Sequence, residues 1–152
     1  MNKHRVKGFS LIEVLIALLV LAVGLLGVLA LQAASLQHNQ SAYLESQAAF
    51  LANDILDRMR ANKDNAPIYK TDLDSTVSAT KDCASGACTP SQLVSWDLSQ
   101  WKQLVADTLP AGRGAVDVTL DAVNGDNFAI TVEYDIRDEG GTPRSFVLRT
   151  RI

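Results

Sequence analysis

Eighteen consecutive residues, Val14 to Leu31, carry no charged or hydrogen-bonding side chain. A helix that is apolar on every side must be surrounded by apolar neighbours, so a run of this kind belongs in lipid or in a packed core. Phe9, Leu11 and Ile12 extend it toward the N-terminus. At about 1.5 Å per residue, Leu11 to Leu31 spans roughly 30 Å, the thickness of a bilayer's hydrocarbon core. Lys3, Arg5 and Lys7 precede the run with no acid among the first eight residues, a charge bias that keeps the N-terminus in the cytoplasm. The run exceeds the apolar core of about 7–15 residues found in a secretory signal. Ala33 and Ala34 follow it, so cleavage by ordinary signal peptidase stays open as an alternative. A lipoprotein signal would need a cysteine just after the run, and none is there.

Glu13 is the one charge in this apolar region. At bilayer depth a carboxylate costs on the order of 2.5–3.5 kcal/mol, so it is rare without a partner or a function. Two readings of the residue stand side by side. If the chain begins at Met1, Glu13 lies near the headgroups and is an interfacial acid with no special role. If the chain is cut after Gly8, Glu13 is the fifth residue of a helix with a new positive amine, and an amine–carboxylate pair between subunits becomes possible. The helix dipole favours an acid at that end in either case.

The segment Lys7-Gly8-Phe9-Ser10-Leu11-Ile12-Glu13-Val14 resembles the class III leader of type IV prepilins and type II secretion pseudopilins. The resemblance implies that prepilin peptidase cuts after Gly8 and methylates Phe9, and that Glu13 supports assembly into a helical filament. The anchor from Leu15 to Gly27, together with Ala52-Asn53-Asp54-Ile55-Leu56-Asp57-Arg58-Met59-Arg60-Ala61-Asn62, is similar to the PilV group of type IV pilus minor pilins, also called modification proteins. That likeness covers roughly the first 62 residues well and the rest in layout only. It implies an α+β type IV pilin fold with a long N-terminal helix on a small antiparallel sheet of three or four strands. It also implies a minor-pilin complex that primes pilus assembly, with twitching motility and adhesion as outcomes. The partners so implied are prepilin peptidase, other minor pilins, the major pilin, a tip adhesin and the inner-membrane assembly platform. The location implied is the inner membrane, with the C-terminal part periplasmic, and the pilus near its tip. A minor pseudopilin of the I type shares leader and anchor and is the alternative; a DNA-uptake competence pilin is a further one.

The organisation expected is a leader at 1–8, an anchor at 9–31 and a globular part at 32–152. No proline interrupts Phe9 to Ala66, and Leu36, Tyr43, Phe50 or Leu51, Ile55 and Met59 recur at helical spacing, predicting one helix from Phe9 to about Asn62. Gly24 and Gly27 inside it allow close helix approach, or reflect ordinary glycine use in membrane helices. A polar loop follows at 66–89. Thr89, Pro90 and Gln92 then form a capping-box start to a helix over 90–109, whose apolar positions are Leu93, Trp96, Trp101, Leu104, Val105 and Leu109; the tryptophans are core or interface anchors. Beyond 115 the period changes to two, giving strands built on Val116-Val118-Leu120-Ala122, Phe128-Ile130-Val132-Tyr134-Ile136 and Phe146-Leu148-Ile152. They are joined by turns at Asn124-Gly125-Asp126-Asn127 and Asp138-Glu139-Gly140-Gly141-Thr142-Pro143.

From Gln32 onward, 16 Asp and Glu outnumber 11 Lys and Arg. That acidity argues against nucleic acid, which needs a clustered basic face. Cys83 and Cys88 lie far from His4 and His38, short of the four ligands zinc takes. A disulfide-closed loop in an oxidising compartment is preferred over two free thiols. No nucleophile elbow, phosphate loop or His-Glu-x-x-His occurs, so an enzyme is not expected, nor any cofactor or metal. Asp72, Asp74 and Asp82 could make a weak calcium site but fall short of about six oxygens. Asp54, Asp57, Arg58 and Arg60 form charge pairs on the helix, either a solvated face or a surface for neighbours. His38 reads as a solvated helix residue.

Overall fold

The computed structural model describes residues 8–121, 125–136 and 142–152. The chain divides into two compact units, Met1–Gln40 and Ser41–Ile152. Helix α1, Leu11–Ala61, begins in the first and ends in the second. Its start is fixed by Ser10, whose carbonyl accepts the backbone N–H groups of Glu13 (3.1 Å) and Val14 (3.3 Å). Leucine, isoleucine, valine and alanine without a proline sustain it, as expected for a helix that surrenders no hydrogen bond.

In the second unit, Leu44, Ala48, Leu51, Ala52, Ile55, Leu56 and Met59 form the buried stripe of α1. This corrects part of the expected pattern. Tyr43 and Phe50 are 63% and 67% exposed, and Leu36 in the first unit is exposed as well. At about 100° per residue, Tyr43 and Phe50 stand roughly 140–160° around the helix from the centre of the buried stripe. Alanines at 48 and 52 explain the choice, because they let neighbouring elements approach the helix where bulky residues would hold them off.

After Asn62 the chain does not loosen at once. Lys63–Tyr69 forms a 3-10 turn, η1, with Pro67 inside it and Ala66 and Tyr69 buried. The expected loop therefore starts later, near Lys70. Helix α2, Pro90–Thr108, opens with the anticipated capping box: Gln92 N–H donates to Thr89 Oγ1 (3.3 Å) and Thr89 N–H to Gln92 Oε1 (3.0 Å). Its buried positions are Val94, Asp97, Leu98, Trp101 and Val105. Leu93 and Trp96 are only half-buried and Leu104 is exposed, so the packed face lies about one residue C-terminal to the expected one.

The sheet is an antiparallel meander in the order β1-β2-β3, comprising β1 Arg113–Thr119, β2 Asn127–Tyr134 and β3 Arg144–Arg151. Three strands are thus present among the described residues. In register, Ile130 stands between Val116 and Leu148, and Val132 between Gly114 and Phe146. These positions, with Phe128 and Tyr134, put one apolar face into the core. Gly125 turns with φ 86° in the first hairpin, the positive φ that glycine alone takes at little cost. Leu120 lies past the end of β1 and is exposed. Ala122 and Asn124, and Asp138 to Gly141 of the second turn, lie outside the described residues, as do the leader residues Lys3, His4, Arg5 and Lys7.

Trp101 joins helix to sheet. It is fully buried, donates Nε1–H to the Leu51 carbonyl at 2.8 Å, and lies over Gly114, where any Cβ would come within 2.5 Å of the indole ring. A larger residue at 114 would displace the largest side chain of the core.

Candidate functional site

Gly8, Phe9 and Ser10 precede α1, and Glu13 falls in its first turn. The spacing Ser10-x-x-Glu13 is also that of a capping box, a local signal that the family likeness had overshadowed. Every large apolar residue from Phe9 to Leu31 is at least 48% exposed. Leaving sixteen such side chains in water forfeits on the order of 1.5 kcal/mol or more apiece, so this surface requires lipid or other helices. By length and composition α1 can cross a membrane. A Cβ added at Gly24 or Gly27 would meet nothing within 4 Å. Any close approach those glycines permit is therefore an approach of another molecule.

The helix charges resolve into two groups. Arg60 pairs with Asp57 at 3.2 Å on the exposed face. Arg58 turns inward, pairing with Asp54 through Nε (3.0 Å) and with Asp97 of α2 through Nη1 (3.4 Å). Asp97 Oδ2 also accepts the Tyr69 hydroxyl at 2.6 Å. Asn62 Nδ2 donates to the Pro90 carbonyl (2.8 Å) and approaches Tyr69 Oη (3.5 Å), while Asn65 Nδ2 donates to Asn62 Oδ1 (3.0 Å). This polar knot clamps the end of α1, η1 and the start of α2 together. Burial first, and then the bond to Asp97, push the Tyr69 hydroxyl well above its ordinary pKa. Sequence reasoning missed the knot because its acid lies on the apolar stripe of α2, where hydropathy alone argues against a buried position.

Cys83 and Cys88 are joined by a disulfide with a Cα–Cα distance of 5.5 Å. Lys81 Nζ donates to the Ala87 carbonyl across the same loop at 2.5 Å. The three loop acids are not brought together as ligands. Asp74 pairs with Arg113 at 2.7 Å, and Asp82 Oδ1 caps the Ala84 N–H at 2.9 Å. The carbonyl cluster of that turn is instead taken by an ammonium: Lys102 Nζ donates to Asp72 O (2.5 Å), Ser75 O (2.6 Å) and Ser75 Oγ (2.9 Å). Burial lowers the Lys102 pKa, against the pull of Asp72 and Asp74. Among the described residues no group of three His, Cys, Asp or Glu is arranged to hold a metal. His38 is exposed on α1.

Two family models match the chain. The prokaryotic N-terminal methylation motif matches residues 3–29, and the family of the type IV pilin Tt1218 matches residues 30–99. Together they run from the leader to the middle of α2, more than half the chain. No curated protein and no solved structure matches it.

Proposed function

We propose that this chain, a member of the type IV pilin-like family by its N-terminal methylation motif, its pilin match and its helix-on-meander fold, serves as a minor pilin. Prepilin peptidase cuts between Gly8 and Phe9 and methylates the new Phe9 amine. The anchor holds the protein in the inner membrane with its N-terminus cytoplasmic and residues 32–152 periplasmic. The subunit then joins other minor pilins in a complex that primes assembly of the major pilin near the filament tip. Twitching motility and attachment follow from that role.

The observation that carries this reading is the uncovered apolar surface from Phe9 to Leu31 with Glu13 as its only charge. Such a helix is stable in lipid as a monomer and among like helices in a filament, so transfer between the two needs no refolding of the anchor. Cleavage after Gly8 creates a cation four residues before Glu13. In a filament, the acid of one subunit can meet the amine of the next as it docks. A preassembled cluster would give the first major subunit a surface on which its own acid finds that amine.

The test is Glu13→Ala in the natural cell. Membrane insertion should persist while the variant drops out of purified filaments; normal incorporation would refute the pairing. Deleting the whole chain should abolish or sharply reduce surface pili and leave protein secretion intact. The reverse phenotype would assign the protein to a secretion pseudopilus.

A further inference from the structure

The two edges of the sheet are treated differently. The outer edge of β1 is covered by Thr71, which exchanges both backbone bonds with Val116 (3.0 and 2.9 Å). Strand β3 pairs only with β2 among the described residues, so alternate N–H and C=O groups face outward along Ser145–Arg151. The protein carries a net charge of −3, yet β3 holds three arginines and no acid.

On the sheet face away from the core, a shallow groove of about 340 Å³ runs beside this edge. Ala129 and Asn127 floor it, Asp117 and Thr119 form one bank, and Arg149 and Arg151 form the other. On the acidic bank, Lys70 Nζ lies 3.5 Å from Asp117 Oδ1 and partly offsets its charge. Arg151 is held by its Nε, which donates to Asn127 Oδ1 at 2.9 Å, a bond that leaves its terminal nitrogens for other acceptors. Arg149 makes no hydrogen bond or ion pair with another described residue.

We infer that the β3 edge is a docking site for an extended acidic segment of another protein, added as a fourth strand. The backbone row supplies the affinity of strand addition, and the guanidinium forks select carboxylates. Arg149 and Arg151 are two residues apart, roughly 6–7 Å along the strand, so the partner needs acids at alternate positions. A second copy of β3 is a poor occupant. In an antiparallel pairing centred on the strand, Arg144 would stand opposite Arg151 twice, and like charges directly opposite repel. A row of arginines can also serve only to repel strands from an exposed edge, and the experiment separates the two roles.

The full chain in a lipid nanodisc is titrated with a fluorescein-labelled peptide, Thr-Val-Glu-Val-Glu-Val-Thr, and followed by anisotropy. Three comparisons accompany it: the peptide with both Glu changed to Lys, the peptide with its central Val changed to Pro, and the double variant Arg149→Glu/Arg151→Glu. The acidic peptide should bind saturably and slow amide exchange along Arg144–Arg151. The double variant should weaken it about tenfold or more and take up the Lys peptide instead. No saturable binding, equal binding to the double variant, or equal binding of the proline-broken peptide would overturn the inference.

Discussion

Asp97→Ala deletes a carboxylate that lies almost wholly inside the globular unit and accepts from Tyr69 Oη at 2.6 Å and Arg58 Nη1 at 3.4 Å. The two bonds weigh differently. Tyr69 is fully buried, and its remaining neighbour, Asn62 Nδ2, is a donor, so the hydroxyl proton would be left without an acceptor. A buried polar group in that state costs about 1–3 kcal/mol, and a bond to a charged group contributes about 1.5–3 kcal/mol. Arg58 is partly exposed and keeps Asp54, so its loss should stay under about 1 kcal/mol. Removing a buried carboxylate also removes its desolvation penalty. The expected net destabilisation is about 2–4 kcal/mol for Asp97→Ala and about 1–2 kcal/mol for Tyr69→Phe, with the double variant short of additive by about 1 kcal/mol. Urea unfolding of the full chain in detergent, followed by tryptophan fluorescence, reads this directly, because Trp101 is buried and Trp96 half-buried. Strict additivity, or an Asp97→Ala cost below about 0.5 kcal/mol, the level of an ordinary surface change, would refute the knot as a clamp.

The same knot sets a pH dependence. Tyr69 titrates above its unfolded value of 10.0, so its contribution is complete below about pH 10 and is lost as pH rises beyond it; stability should fall more steeply there in the native chain than in Tyr69→Phe, and identical alkaline limbs would contradict the assignment. Gly114→Ala places a Cβ 2.5 Å from the Trp101 ring and should destabilise by about 1–3 kcal/mol with an altered tryptophan spectrum; a change within about 0.5 kcal/mol would show that the indole has room to move. Cys83→Ser/Cys88→Ser opens a loop with a sequence separation of 5, a closure contributing about 2 kcal/mol at most; amide exchange should quicken around the loop and stay unchanged in β2, and loosening of the sheet would contradict a local role.

Much of this architecture was legible because its signals are strong and local. The apolar run and absence of proline define α1, Thr89-Pro90-x-Gln92 defines the start of α2, and strict alternation defines the meander. What the sequence left ambiguous was the choice of packed face. On α1, apolar residues recur on two sides, and burial of Ala48 and Ala52 rather than Tyr43 and Phe50 depends on how closely the rest of the unit approaches. On α2, Asp97 breaks the apolar stripe, and only the positions of Tyr69 and Arg58 make its burial tolerable. The groove beside β3 was illegible for a different reason: it depends on which edge is covered, and Thr71 covers β1 from a segment that reads as plain loop.

Processing and assembly are read together in the N-terminus of the protein recovered from sheared filaments, determined by intact-mass and fragment mass spectrometry. A processed subunit begins at Phe9, carries one methyl group on its α-amine, and disappears from the filaments when Gly8 is replaced by a bulky residue. A chain that still begins at Met1, or one cut beyond Ala33, would contradict cleavage after Gly8.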